Sequence, residues 1–466
     1  MERYLPTGNE MISLPKLNEQ TAAIEDLTFL SMQQRGMIEL CGTENVPLMQ
    51  PFIQIDQEEL ALTGLQWSRE HFWIPSGHKE TEQATVKFTV LTPVGERGFA
   101  MRLSVTARTD CRLKLGARGL WSKSVHCVNE DKELTGQAYI YESAWNSSFI
   151  MDYRVGFPAF ALAPMSDHAG KSEWAQTEDG ISYQISCALD AKAGQEEAFT
   201  IFWGLGFEEV AAATSAKEQL RRGWDWLYRK TADWLDKRTV QLPTPELTEV
   251  YNVNQFFCLF YATGRTFDTE ELICATSRST RYYDSAAYWD RDSLLWAFPA
   301  ILTVDAAYAR EILTYVFTRQ ARNFGVHSRY IDGTMLEPGF ELDELCAPVI
   351  ALNRYVEQTG NLAFAKQGFV QAGLQSVLSR LEAKRHPVIP LYETFLQPTD
   401  DMHNYVYLTY DNALVCCAMR ALATLLERPE LEQAAQRTRQ AVYAHCVKEQ
   451  DGRPFFCLVG GFERPL

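Results

Sequence analysis

Tyr283-Asp-Ser-Ala-Ala-Tyr-Trp-Asp-Arg-Asp-Ser293 packs three aspartates, an arginine and three aromatic rings into one short stretch, and a mostly apolar run, 294–302, follows at once. The pattern predicts a helix over 286–302 that docks by its apolar body and displays a first turn of Asp290, Arg291 and Asp292. Acidic groups there suit the positive end of the helix dipole. Two readings are open from this stretch alone. The carboxylates and the guanidinium could take the hydroxyls of a sugar while Tyr288 and Trp289 stack on its apolar face. Alternatively, the segment is a capped core helix with a structural ion pair, a common use of charge at helix starts.

On the N-terminal side the chain reads as β. Segments 88–92, 101–107, 111–115, 138–141, 181–186 and 198–203 alternate or nearly alternate, with short polar or Gly-containing stretches between them. Strands at this spacing predict an antiparallel sandwich. The character changes near Gly206. Residues 208–237 have helical spacing, with Trp224, Trp226, Leu227 and Trp234 on one packing stripe. Pro243 and Pro245 punctuate the next start. Further helices are predicted over 246–263, 305–322, 342–359, 361–384, 411–427 and 429–447. Loops 264–285, 323–341 and 385–410 are far longer than helix connections require, and their aromatics, Asp, Glu and His favour function over disorder.

Composition bounds the partners. The 466 residues carry 44 Lys+Arg against 60 Asp+Glu, a formal net charge of −16. That argues against nucleic acid and anionic membranes and favours a neutral or cationic partner. No apolar run approaches the roughly 18 residues of a membrane span, and Met1-Glu-Arg-Tyr-Leu-Pro6 does not read as a signal peptide. The 11 cysteines are an odd, scattered set without C-x-x-C spacing, which predicts reduced thiols and a cytoplasmic location. The 8 histidines form neither H-E-x-x-H nor H-x-H, so no metal site and no cofactor are expected.

Two more acidic clusters follow the first. Pro338-Gly-Phe-Glu-Leu-Asp-Glu-Leu-Cys346 puts Asp343 and Glu344 in a first helical turn, where N-capping is the structural alternative. Tyr392-Glu-Thr-Phe-Leu-Gln-Pro-Thr-Asp-Asp401, continued by Met402-His-Asn-Tyr405, brings Glu393, Asp400, Asp401 and His403 into one loop, for which a polar connector ending in the cap Asp411 is the alternative. Glycoside cleavage needs one carboxylic acid to protonate the leaving oxygen and a second carboxylate across the ring. Clusters at successive helix starts of a helical toroid would converge on one end.

Taken in order, these motifs resemble the six-hairpin (α/α)6-barrel glycosidases, and most closely the metal-independent exo-α-mannosidases of glycoside hydrolase family 125. Trp289-Asp-Arg-Asp-Ser293 is similar to W-x-R-D-S, and Arg319-Gln320 to a later R-Q. Phe340-Glu-Leu-Asp-Glu-Leu-Cys346 with Thr359-Gly360 is similar to E-[IL]-D-S-L-C-Y-P…T-G, and Pro398-Thr-Asp-Asp401 to P-S-D-D. The first motif also resembles W-x-R-D of glucoamylases and Y-x-W-D of trehalases. The resemblance implies an N-terminal β-sandwich (1–206), a helical linker (207–245) and a helical catalytic domain (246–466). It implies that Arg291 and Asp292 hold the sugar nearest the cleaved bond and that Asp343 lines the same pocket; Tyr288, Trp289, Glu341, Glu393 and His403 are the further substrate-binding candidates in these clusters. Asp400 or Asp401 would be the general acid. Glu344 departs from the family's serine, Cys346-Ala-Pro348 from Cys-Tyr-Pro, and Asp290 is an addition.

The implied activity is an inverting, exo-acting glycosidase, α-mannosidase- or α-glucosidase-like, acting on oligosaccharides. A disaccharide phosphorylase of the same architecture and a carbohydrate-binding protein without a base are the alternatives. A closed toroid needs twelve helices and about seven are predicted, so the chain is expected to be partial, with its catalytic base beyond Leu466.

Overall fold

The computed structural model describes residues 3–154, 156, 158–401 and 405–460. The chain divides into two compact units. Unit one runs to Glu270 and includes Ser277–Ala286; unit two comprises Glu271–Thr276 and the chain from Ala287.

Unit one is built on three antiparallel sheets. The largest has eight strands, and its centre pairs Glu196–Gly206 with Gly98–Ala107 and Gly98–Ala107 with Ala84–Leu91. A five-stranded sheet centres on Cys111–Trp121, between Gly180–Ala191 and Gln50–Ile55. A six-stranded sheet holds Asp26–Ser31 and Gly36–Cys41. Alternation explains the layers: Val86, Phe88 and Val90 are fully buried, while Lys87 between them is exposed. Rings join the two larger sheets, with Tyr183 of the five-stranded sheet 5.4 Å from Phe149 and 5.5 Å from Trp203 of the eight-stranded one. The predicted sandwich is present. More strands occur than alternation alone showed, because strands such as Asp26–Ser31 are buried on both faces and carry no period of two.

Three helices belong to unit one: α1 (Glu209–Arg222), α2 (Trp224–Asp236) and α3 (Pro245–Phe260). The helix predicted over 208–237 is therefore two, parted at Gly223 with φ +77°. α1 lays Ala212, Ala213 and Ala216 on Ile150, Ala161 and Ala163 of the large sheet. The approach is close because strand residue Gly204 lacks a side chain. A Cβ there would lie 2.3 Å from Ala216 N and 2.4 Å from Ala212 O. Gly204→Val should therefore push α1 off the sheet and cost about 1–3 kcal/mol. An unchanged urea midpoint would show that the contact is slack.

Unit two is mainly helical: α4 (Phe298–Val304), α5 (Ala306–Thr318), α6 (Leu342–Thr359), α7 (Leu362–Ala365), α8 (Gly368–Ala383), α9 (Thr409–Leu425) and α10 (Glu430–Cys446). α6 is central. Leu342 to Leu352 are all buried, and Gly360 in the left-handed region ends the helix. Three predictions are corrected here. The helix placed at 286–302 begins only at Arg291, as a π-helix (Arg291–Ala297) that passes into α4. The helix at 361–384 is broken between α7 and α8. Loop 323–341 carries a hairpin, Val326–Arg329 with Met335–Phe340. No helix among the described residues is long and apolar enough to cross a membrane. All eleven cysteines are free thiols.

Candidate active site

Four short pieces of unit two build the site: the π-helix start, the 326–340 hairpin, the first turn of α6 and the loop before α9. Tyr288 and Arg329 exchange backbone hydrogen bonds of 2.8 and 3.1 Å, which ties the hairpin to the Trp289-Asp290-Arg291 segment. The Glu344 carboxylate accepts the backbone N–H groups of Asp290 and Arg291, the latter at 3.0 Å. A side chain from α6 thus caps the π-helix, satisfying donors that its own turn leaves free. This gives Glu344 a structural use.

Arg291 sits at the centre, almost wholly buried. Its Nη1 donates to Glu341 at 2.6 Å and Asp343 at 3.1 Å, and its Nη2 donates to Asp400 at 2.7 Å. Asp400 has φ 65°, a left-handed conformation that aspartate tolerates better than most residues. It remains 42% exposed on its side chain. Behind this group lies a second pairing. Fully buried Arg329 donates to Asp290 and lies 4.8 Å over the Tyr288 ring, and Tyr288 Oη donates to Asp290 at 2.6 Å. His327 Nδ1 bonds Glu341 and lies 3.9 Å from Asp400. The Trp289 ring meets His327 edge-on at 5.5 Å.

Seven carboxyls (Asp290, Asp292, Glu341, Asp343, Glu344, Asp400, Asp411) thus face three cationic groups (Arg291, Arg329, His327). Burial is the largest force on several of them. It lifts the carboxyls of Asp290, Asp343, Glu344 and Asp411 above the usual range, against the pull of the arginines. Burial, then the charges of Asp400 and Asp343, pushes Asp292 up to about 6, although Arg291 pulls the other way. Burial opposes charge on Arg291, but Glu344, Asp343 and Glu341 outweigh it and hold the guanidinium charged. Burial also opposes a charged His327 ring. The bond to Glu341 and the charges of Glu341, Asp400 and Glu337 outweigh it and raise its value.

Of the residues predicted from sequence, the structure brings together Tyr288, Trp289, Arg291, Asp292, Glu341, Asp343 and Asp400. Tyr288 is fully buried on Asp290, so its ring serves the scaffold rather than a ligand face. Asp401 bonds Thr399 at 3.0 Å within its own loop. Glu393 pairs with Lys384 at 3.5 Å. His403 lies outside the described residues. Asp411 does not cap α9: the N-cap is Leu408, without a side-chain bond.

Sequence reading missed His327 and two exposed aromatics. Trp296 is 61% exposed, with the Arg291 guanidinium 5.9 Å from its ring centroid. Tyr410, also exposed, is close enough to feel Asp343, Asp411 and Arg291. An exposed tryptophan inside the apolar run 294–302 was the available signal for the first. His327 had none beyond its place in a long loop. Two sets of ligand-type atoms, His327/Glu341/Asp400 and Glu341/Asp343/Glu344, are tight enough to chelate an ion. The Arg291 guanidinium already supplies the cation that both sets contact.

No protein-family model matches the sequence, and no curated protein matches it either. Among solved structures, a protein assigned as a kojibiose phosphorylase from the human microbiome superposes with TM-score 0.63 at 12% identity, covering 94% of this chain and 66% of its own. A bacterial glucoamylase complexed with acarbose superposes at 0.62 and 12% identity, covering 99% of this chain and 70% of its own. The fold is glucoamylase-like, an N-terminal β domain followed by an (α/α)6-type helical region. The chain spans about two thirds of the length of the first of these neighbours. A metal-independent α-mannosidase of Streptococcus pneumoniae, with α-1,6-mannobiose, matches at TM-score 0.42 and 16% identity over 50% of this chain and 67% of its own, too loosely to carry an argument. The likeness to family 125 and to trehalases therefore stays a resemblance of motifs.

Proposed function

We propose that the chain belongs to an enzyme that cleaves the terminal glycosidic bond of an oligosaccharide by hydrolysis, with inversion. The observation that carries this reading is the Arg291 group. A buried guanidinium gathers carboxylates from three segments, and one of them, Asp400, reaches it from a loop while staying open to solvent. Arg291, Asp343 and Glu341 form a rigid, hydrogen-bonding floor, and Trp296 and Tyr410 offer faces for a sugar ring. Asp400 is the proton donor in this reading. Asp401 is set aside because it bonds Thr399 within its own loop, whereas Asp400 reaches the Arg291 group. Asp292 is the neighbouring acid poised near neutrality, suited to assist proton transfer.

Phosphorolysis on the same fold is the rival, since one neighbour is assigned as a phosphorylase. Both guanidiniums of the site are already committed to its own carboxyls, Arg291 to Glu341, Asp343 and Asp400 and Arg329 to Asp290, which disfavours phosphate as the acceptor. The eleven free thiols suit a reducing compartment, and we place the protein in the cytoplasm on that ground.

Asp400→Asn tests the assignment. General-acid loss lowers rates on glycosides with poor leaving groups by roughly 10²–10⁴. Dinitrophenyl glycosides, whose leaving group needs no proton, should be much less affected. Equal loss on both kinds of substrate would remove Asp400 as the acid. Turnover that requires inorganic phosphate would replace hydrolysis by phosphorolysis, and sugar binding without any turnover would leave a binding protein.

A further inference from the structure

Asp411 stands in the first turn of α9, 1% exposed, with no hydrogen-bond partner on either carboxyl oxygen among the described residues. The other buried carboxyls of the site are all engaged. Asp290 takes Tyr288 and Arg329, Glu341 takes His327 and Arg291, Asp343 takes Arg291, and Glu344 takes two backbone N–H groups. A helix start offers free N–H groups to such a side chain, yet Asp411 accepts none of them. Two donors of the same group are orphaned as well, Trp289 Nε1 and Arg291 Nε. Buried polar atoms without partners are uncommon and costly, and they persist where a ligand completes them. Tyr410, the preceding residue, is exposed.

We infer that Asp411 is a specificity-determining residue of the Arg291 site, exchanging hydrogen bonds with a hydroxyl of a neutral, polyhydroxylated ligand. The inference rests on the sugar-site reading above and names which side chain sorts the ligand. Burial, then the charges of Asp343 and Glu341, raises this carboxyl well above its usual range and so favours its protonated form, which offers both a donor and an acceptor. A hydroxyl is likewise both, whereas an anionic ligand would meet the surplus of carboxylates. The orphaned indole and guanidinium N–H groups match further oxygens of the same ring.

Calorimetric titration of the full chain with the neutral sugars D-glucose and D-mannose provides the test, on wild type, Asp411→Asn and Asp411→Ala. The amide keeps a donor and an acceptor, so Asp411→Asn should bind the better probe within about threefold of wild type. Asp411→Ala should lose about tenfold or more, the effect of one or two lost hydrogen bonds. Its urea midpoint should be no lower than that of wild type, because the orphaned oxygens contribute nothing to the fold. Unchanged binding in Asp411→Ala overturns the inference alone. So does a parallel loss of binding and stability in that variant, which would mean a structural role. A wild type that binds neither probe overturns the sugar-site reading and this inference with it.

Discussion

Replacing Arg291 by methionine should destabilise the protein by about 3–5 kcal/mol and abolish turnover together. Methionine fills much of the space, so the loss is electrostatic. Removing one partner of a buried ion pair leaves the other uncompensated, and here Asp343 and Asp400 lose the guanidinium at once while Glu341 is left with His327 alone. Arg291→Lys keeps the charge but loses the fork that reaches Glu341 and Asp343 with one nitrogen and Asp400 with the other. It should recover part of the stability and little of the activity. Urea unfolding at pH 7 and pH 5 checks the mechanism. The penalty should shrink at pH 5, where more of the abandoned carboxyls are protonated. A pH-independent penalty would mean that lost packing, not uncompensated charge, is its source.

The same residue shows what could be read from the chain and what could not. Trp289-Asp-Arg-Asp-Ser293 was legible as a site because charge beside a long apolar run is locally anomalous. Asp343 was legible because it lies at a loop-to-helix junction, and Asp400 because it falls in a long loop rich in acidic and aromatic residues. The partners that give these groups their chemistry were not. Glu344 caps a helix that starts 53 residues before it in the chain, and Asp290 pairs with Arg329 across 39. His327 and Arg329 arrive on a hairpin whose short strands have broken register and no clean alternation. The π-helix was hidden for a different reason. Its apolar run is the same as an α-helix's, and only the tertiary capping by Glu344 distinguishes the start. In unit one, Gly223 marked the break between α1 and α2 openly, but helical spacing on both sides masked it; of the predicted stripe Trp224, Trp226, Leu227 and Trp234 only Leu227 is buried, and Trp226 is exposed.

Asp292→Asn should stabilise the protein at neutral pH while impairing turnover. Burial and two neighbouring carboxylates raise Asp292 from an ordinary 3.8 to about 6, and its side chain is 24% exposed. The sign follows from linkage. The folded state holds a proton that the unfolded chain releases, so this group favours folding fully only below about pH 4. That contribution fades as pH rises from 4 to 6 and is absent above. Two pH units correspond to about 3 kcal/mol. Asparagine carries no charge at any of these pH values. The stability difference between variant and wild type should therefore be near zero at pH 4 and approach 3 kcal/mol in favour of the variant by pH 8. Urea unfolding of both proteins at pH 4, 6 and 8 measures it directly. A constant offset would show that Asp292 is not titrating in this window, and a less stable variant at pH 8 would show that its ion pair with Arg291 outweighs its burial. If the predicted slope is found alongside lost activity, then a charged Asp292 is held against its own stability, as sites of chemistry commonly require.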